Sequence, residues 1–329
     1  MGSSVRISVV IATAIGVLVL AFSLYQQHRE DSDSEVIAVA LDPADPDQEQ
    51  IGQLSYLGGL DIPRMGLNIG GLSGLRWDAQ SGRLLAITDD ARFVWITPVE
   101  ENRRLTGISA IEVGDLLGLE GERLTWKAAG DSESITLTES GAWAIGFERD
   151  HRIWFYDTLG EPARASEVDV EADFGPLEDN GGLEAMAGNA KVQLMCVERQ
   201  AAPRPRPNCL RRAFGTGIAD FNVNPPRDIA QLGGVPTDAD ALGDGTLFIL
   251  FRSYSPSDGN GAAIVSYTLG RKRTEIATLR PPLTVDNFEG LALREEGGRV
   301  FLYIVSDDNF SSNQRTLLMK FEVMLASGE

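Results

Sequence analysis

Gly182-Leu183-Glu184-Ala185-Met186 recurs along this chain in altered copies. The others read Gly71-Leu72-Ser73-Gly74-Leu75, Ser132-Glu133-Ser134-Ile135, Asp238-Ala239-Asp240-Ala241-Leu242 and Phe288-Glu289-Gly290-Leu291-Ala292. Aligned on the Glu184 position they fall at 73, 133, 184, 240 and 289, a spacing of about 50 to 60 residues. A period of that size, with several short strands in each unit, marks an all-β fold of the β-propeller type. A ring of such units brings equivalent residues around one axis, and four of the five equivalents are carboxylates.

Each copy is followed, after a turn, by a second apolar run: Arg83–Thr88, Ala142–Phe147, Val192–Val197, Thr246–Phe251 and Val300–Val305. Gly-containing pairs such as Ser81-Gly82, Ser140-Gly141, Asp244-Gly245 and Gly297-Gly298 supply the turns. Third strands are expected at 151–157, 209–214, 262–268 and 315–323, and no helical stripe of useful length follows residue 26. The count predicts five blades. Six is the alternative, with a degenerate blade between 92 and 130. The last unit lacks a fourth strand, while Gln53–Ile62 forms an unassigned strand at the front. Pairing the two would close the ring and remove an exposed edge.

Ahead of the repeats, Ile7 to Tyr25 is 19 residues without a charge, preceded by Arg6 and followed by His28-Arg29-Glu30-Asp31. That length spans a bilayer as a helix, and the flanks place the body of the protein outside the cytoplasm. A signal peptide cleaved near Ala21-Phe22-Ser23 is the competing reading. The expected organisation is therefore a transmembrane or signal helix at 1–25, an acidic linker at 26–50 and the propeller at 51–329. The net charge of −19 excludes nucleic acid as a partner and suits a surface that gathers cations. In an exported protein, Cys196 and Cys209, at neighbouring ends of a hairpin, come within disulfide reach. A pair of buried thiols is the alternative.

In a propeller blade the start of the first strand and the end of the second share a face. Ser73, Glu133, Glu184, Asp240 and Glu289 are thus expected beside Asp89-Asp90, Glu148-Arg149, Glu198-Arg199, Arg252 and Asp307-Asp308-Asn309. Carboxylates gathered on one rim repel unless cations, arginines or raised pKa values compensate. Oxygen donors without cysteine or histidine suit Ca²⁺ or Mg²⁺. The candidate metal ligands are Asp89, Asp90, Glu133, Glu148, Glu184, Asp240, Glu289, Asp307 and Asp308. The plainer reading makes them ties between loops and blades.

Several chemistries are excluded. The chain has two histidines, His28 and His151, so a histidine-rich zinc site cannot form and a Ser-His-Asp hydrolase would need His151. No G-x-S-x-G elbow, phosphate-binding G-x-x-x-x-G-K or dinucleotide G-x-G-x-x-G occurs. Gly181-Gly182 and Gly233-Gly234 read as turn glycines, and Trp77, Trp95, Trp126, Trp143 and Trp154 as packing between blades.

With those motifs in place the chain resembles the bacterial "esterase-like activity of phytase" family. The resemblance rests on Gly70-Gly71-Leu72-Ser73-Gly74-Leu75 with Ile87-Thr88-Asp89-Asp90, and on Asp131-Ser132-Glu133 with Phe147-Glu148-Arg149. It continues through Asn180–Ala185, Pro236–Asp240, Asp286–Leu291, Ser306–Phe310 and Gln314–Leu318, in order over about residues 52 to 323. It implies a propeller and export. Similarity to calcium-dependent propeller phytases assigns Glu133, Glu184, Asp240 and Glu289 to metal or water positioning, with Glu133, Glu184 and Glu289 as catalytic carboxylates. Lysines are scarce, which leaves Arg149, Arg199 and Arg252 as the phosphate-binding candidates, and Ser73 interrupts the acidic series.

The expected function is thus an exported, divalent-cation-dependent hydrolase of phosphoric or other esters, with calcium as cofactor and no organic cofactor. It would be anchored in the inner membrane, or secreted if the segment is cleaved. The alternative is a non-catalytic periplasmic propeller that binds a ligand or an envelope protein. Carboxylester hydrolysis would need a nucleophile such as Ser73.

Overall fold

In the computed structural model, which describes residues 36–63, 69–198, 208–213, 217–270 and 272–324, the apolar runs pair as antiparallel sheets in chain order. Three strands precede the first repeat: β1 (Ile37–Val39), β2 (Gln50–Ile51) and β3 (Leu54–Asp61). The first blade is β4 (Leu72–Asp78), β5 (Arg83–Thr88), β6 (Arg92–Glu101) and β7 (Arg104–Asp115). The second is β8 (Ser132–Leu137), β9 (Trp143–Phe147), β10 (Arg152–Tyr156) and β11 (Arg164–Ala165). The third is β12 (Leu183–Gly188), β13 (Val192–Val197), β14 (Cys209–Ala213) and β15 (Ile218–Phe221). The fourth is β16 (Val235–Ala241), β17 (Leu247–Ser255), β18 (Gly259–Tyr267) and β19 (Arg273–Leu279). The fifth runs β20 (Phe288–Glu296), β21 (Arg299–Ser306), β22 (Leu317–Val323) and then β3.

The protein is thus an all-β propeller of five blades among the described residues. Three short helices lie in the connections: α1 (Lys127–Gly130), α2 (Val170–Phe174) and α3 (Arg227–Gln231). The second strands explain the continuous apolar runs. Leu247 to Phe251 in β17 are all at most 1% exposed, because a neighbouring blade covers each face of the sheet. No blade hides between 92 and 130. Its strands, β6 and β7, are the long outer pair of the first blade, and β7 buries only Leu105 because it lies at the edge.

Closure follows the expected route. β3 pairs antiparallel with β22, from Leu317 opposite Asp61 to Val323 opposite Leu54, so early and late strands of the described chain share one sheet. Strands β1 and β2 add to the outside of β3, and Leu41 is fully buried in the same core. The stretch read as a linker therefore packs on the last blade from Val36 onward, since its apolar residues complete that blade's outer edge. The helix expected at 1–25 lies outside the described residues; among those described, no helix is long and apolar enough to cross a membrane.

A buried polar cluster joins the fifth blade to the first. The Lys320 ammonium, with no exposed surface, lies 2.7 Å from Glu100 Oε2 and donates to the Arg103 carbonyl at 2.8 Å. Tyr303 donates to Glu100 at 2.5 Å, and Trp77 stacks on the Tyr303 ring. Trp95 meets Trp143 edge to face across the first two blades. Trp126 departs from the packing role and is 79% exposed. Cys196 and Cys209, opposite each other on β13 and β14, are joined by a disulfide.

Candidate active site

Each of the five innermost strands carries a β-bulge near its start, at Ser73/Leu75, Ser132/Ser134, Leu183/Ala185, Pro236/Asp238 and Phe288/Gly290. A bulge inserts one unpaired residue and re-aims its side chain. Glu133, Glu184 and Glu289 occupy three of these positions and point into one cavity of about 410 Å³, which Ser73 also lines.

The fourth blade corrects the alignment. Its bulge residue is Thr237, whose hydroxyl donates to the Phe288 carbonyl at 3.2 Å. Asp240 lies three residues farther along β16 and is absent from the cavity wall. It accepts the backbone N–H of Ala241 and of Leu293, both at 2.8 Å, and so ties the fourth blade to the fifth. Asp238 is the central plug. It has no exposed surface and accepts from the backbone of Leu75, Leu291 and Ala239 and from the buried Arg76 guanidinium.

The ends of the second strands bring Asp89, Glu148, Glu198, Arg252 and Asp307 to the same cavity, with Arg149 beside Glu148. Two glycines make room. A Cβ on Gly71, at φ +63°, would lie 2.0 Å from Asp89 Oδ1. One on Gly182 would press on Glu148, which accepts the Gly182 N–H at 2.7 Å. Gly182 thus serves a close approach rather than only a turn.

Asp90 and Asp308 do not join the cavity. Successive side chains at a strand end alternate in direction, so each second acid of the Asp-Asp pairs turns away. Asp90 pairs with Arg92 at 2.8 Å, and Asp308 is 3% exposed and accepts the Phe310 N–H at 2.9 Å. Arg199 lies outside the described residues.

Sequence reading missed Lys127, Asp131 and Asn180 as site residues, all in connections between strands, whereas Asn309, expected on the rim beside Asp307, does line the cavity. Asp131 carried a usable signal, being two residues before Glu133 and hence on the same side of an extended chain. Lys127, one of four lysines, carried none. Asp131 is 1% exposed and is gripped by two cations, with Lys127 Nζ at 2.6 Å from Oδ1 and Arg149 Nε at 2.6 Å from Oδ2. Lys127 also reaches Asp89 Oδ2 at 2.7 Å, and Arg252 pairs with Glu289 at 2.7 Å.

Glu133 and Glu184 have no cation of this kind among the described residues. Burial pushes Glu133 well above the usual carboxylate range, with repulsion from Glu148 and Asp131 adding to it and a 2.8 Å hydrogen bond from Ser73 opposing it. Burial also raises Glu184, reinforced by Glu133 and Glu148. The Glu289 carboxyl is pushed up to about 7 by burial, against the pull of Arg252, and Asp307 to about 6, again by burial. Asp89 is raised too, its burial outweighing Lys127.

Those directions set a pH dependence. A carboxyl whose pKa is higher in the folded state than unfolded adds stability at low pH and loses it as pH rises through the folded value. Glu289, facing Arg252, Asp307 and Glu198, and Asp307, facing Asp89 and Asp308, place that loss near neutrality. In chelator, Tm should fall as pH rises from about 5 to about 8, and excess calcium should flatten the slope. A Tm that climbs over this range in chelator would contradict the arrangement.

Oxygens of Asp131, Glu133 and Glu148 lie within 4.8 Å of one another, so a hard, oxygen-seeking cation fits the residues present. His151 is outside the cavity wall, its Nε2 3.1 Å from the Glu178 carbonyl.

No curated protein matches the chain. Among solved structures it is similar to virginiamycin B lyase from Staphylococcus aureus, at 10% identity over 88% of this chain and 99% of that one, with a TM-score of 0.41. It is also similar to an α-L-arabinofuranosidase from Podospora anserina, at 9% identity over 82% and 97% of the two chains, TM-score 0.46. For an aldose sugar dehydrogenase from Streptomyces coelicolor the figures are 11%, 88%, 98% and 0.39. Values this low have no bearing on activity. The model of one family, Phytase-like, described as esterase-like activity of phytase, matches residues 67–310, and the chain belongs to that family.

Proposed function

We propose that this phytase-like propeller is a divalent-cation-dependent hydrolase of phosphoric esters, with calcium as the cation and a location outside the cytoplasm. One observation carries the reading. Among the described residues, eight carboxyl groups and three cationic side chains line a single cavity. Glu133 and Glu184, which no described lysine or arginine pairs with, are the carboxyls driven furthest above their usual range. Such a site is short of positive charge.

Asp131, Glu133 and Glu148 would hold the cation, with Glu184 beside them. When bound, a divalent cation makes water more acidic and offsets negative charge on a phosphoryl group. The protein's own part is positional. Arg252, from the fourth blade, and Arg149, from the second, offer N–H donors to substrate oxygens, and Glu289 and Asp131 keep those guanidinium groups oriented. Glu184, once deprotonated, is placed to accept a proton from water. The family membership supports ester chemistry. The disulfide and the charge of −19 support an extracytoplasmic location, and the apolar segment 7–25 supports a membrane anchor or export signal.

The test is hydrolysis of 4-nitrophenyl phosphate by the full-length protein, together with metal analysis of the purified material. Turnover should depend on calcium and stop in chelator, and Arg252→Ala should raise KM by about tenfold, the effect of losing one charge-assisted contact. Bound calcium without turnover would leave a binding propeller. A second reading rests on the 2.8 Å bond from Ser73 to Glu133, which pairs a hydroxyl with a base. Covalent labelling of Ser73 by a fluorophosphonate would favour carboxylester hydrolysis instead.

A further inference from the structure

We propose that the Lys127 ammonium is a built-in counter-cation of the acidic cavity, which a divalent cation displaces and which then turns to the anionic substrate. The inference rests on the cation-dependent reading above and concerns how that site is regulated.

Three cationic side chains line the cavity among the described residues, and they are held differently. Arg252 pairs with one carboxylate, Glu289, and Arg149 with one, Asp131. Lys127 alone of the three bridges two carboxylates, 2.7 Å from Asp89 Oδ2 and 2.6 Å from Asp131 Oδ1, with the Asp89 carbonyl at 3.2 Å. Two carboxylates and a backbone carbonyl around one positive centre form the kind of oxygen set that a hard cation takes. Asp131 also belongs to the three-carboxyl group with Glu133 and Glu148, so Lys127 and a divalent cation draw on the same ligand.

The side chain is able to leave. It is 50% exposed, and it stands on α1, a helix of four residues in the connection between the first two blades. A lysine ammonium is a compact charge on a flexible stem, which suits exchange better than the planar fork of an arginine. With a doubly charged ion on Asp131, the ammonium would face both repulsion and the loss of a shared partner. It would swing toward the mouth, where a phosphoryl group enters a cavity otherwise walled by carboxylates. Without the ion it neutralises Asp89 and Asp131 and lets the propeller fold metal-free.

Calorimetric titration of calcium into full-length wild type, Lys127→Met and Lys127→Arg tests the competition. Removing the competing charge should lower the calcium Kd at least about fivefold in Lys127→Met, while Lys127→Arg stays within about twofold of wild type. A second measurement needs no variant. Amine acetylation of wild type, read residue by residue by mass spectrometry, should be slow at Lys127 in chelator, where Asp89 and Asp131 hold the ammonium in two ion pairs. It should speed up several-fold with calcium, while the reference Lys191 does not change. Equal Kd values with unchanged Lys127 labelling would overturn this inference and leave the cation reading standing. Calcium binding to none of the three proteins would overturn both.

Discussion

Asp238→Ala should lower the unfolding free energy by about 3–5 kcal/mol, the scale for breaking a buried ion pair from one side. That corresponds to a fall in Tm of roughly 5–8 °C for a domain of this size. The carboxylate has no exposed surface and meets Arg76 at 3.0 Å, itself 3% exposed. It also accepts the N–H of Leu75 at 2.9 Å, Leu291 at 2.7 Å and Ala239 at 2.8 Å. These donors belong to the first, fifth and fourth blades, and Arg76 reaches the Met186 carbonyl on the third. Truncation therefore strands a buried guanidinium and three backbone donors where the inner strands converge, with little water to replace the lost acceptor. Asp238→Asn keeps one acceptor and should lie between. Chemical unfolding of the three proteins measures the series, and an alanine variant within about 1 kcal/mol of wild type would show that Asp238 is not the plug.

The second large effect is on calcium. Glu184→Gln keeps the shape and one carbonyl oxygen but removes a charge from the group most in need of a cation. Calcium affinity should fall about tenfold to a hundredfold, as ligand charge count tunes such sites. Stability should move the other way in chelator. Burial and repulsion from Glu133 and Glu148 already disfavour the Glu184 carboxylate, so its loss should leave apo protein unharmed or slightly more stable. The raised pKa adds a further signature. Burial makes Glu184 and Glu133 hold a proton more tightly than an ordinary carboxyl, and they must release it to bind an ion, so calcium should bind more tightly as pH rises. Melting curves of both proteins, with excess calcium and with chelator, separate the cases. An equal loss of Tm in both conditions would make Glu184 a structural tie.

The sequence by itself determined the architecture. A repeat of five acid-headed strands requires a ring, because each blade has two apolar faces and only a neighbouring blade can cover them. The front strand had to close it, since an unpaired β22 edge would stay open. Glu133, Glu184 and Glu289 were legible for the same reason: equivalent positions in a ring share a face. Asp240 failed because position in a repeat is decided by strand register, and the bulge that sets it falls at Thr237, a pairing event invisible in one strand alone. Between Asp89 and Asp90, and between Asp307 and Asp308, sequence could not say which acid turns inward, since a half-turn of the chain reverses the answer. Lys127 was decided only by tertiary structure, and Asp131 was legible only through its place two residues before Glu133. They reach the cavity from a connection between blades, whose path is set by packing against both neighbours and not by any periodicity of its own.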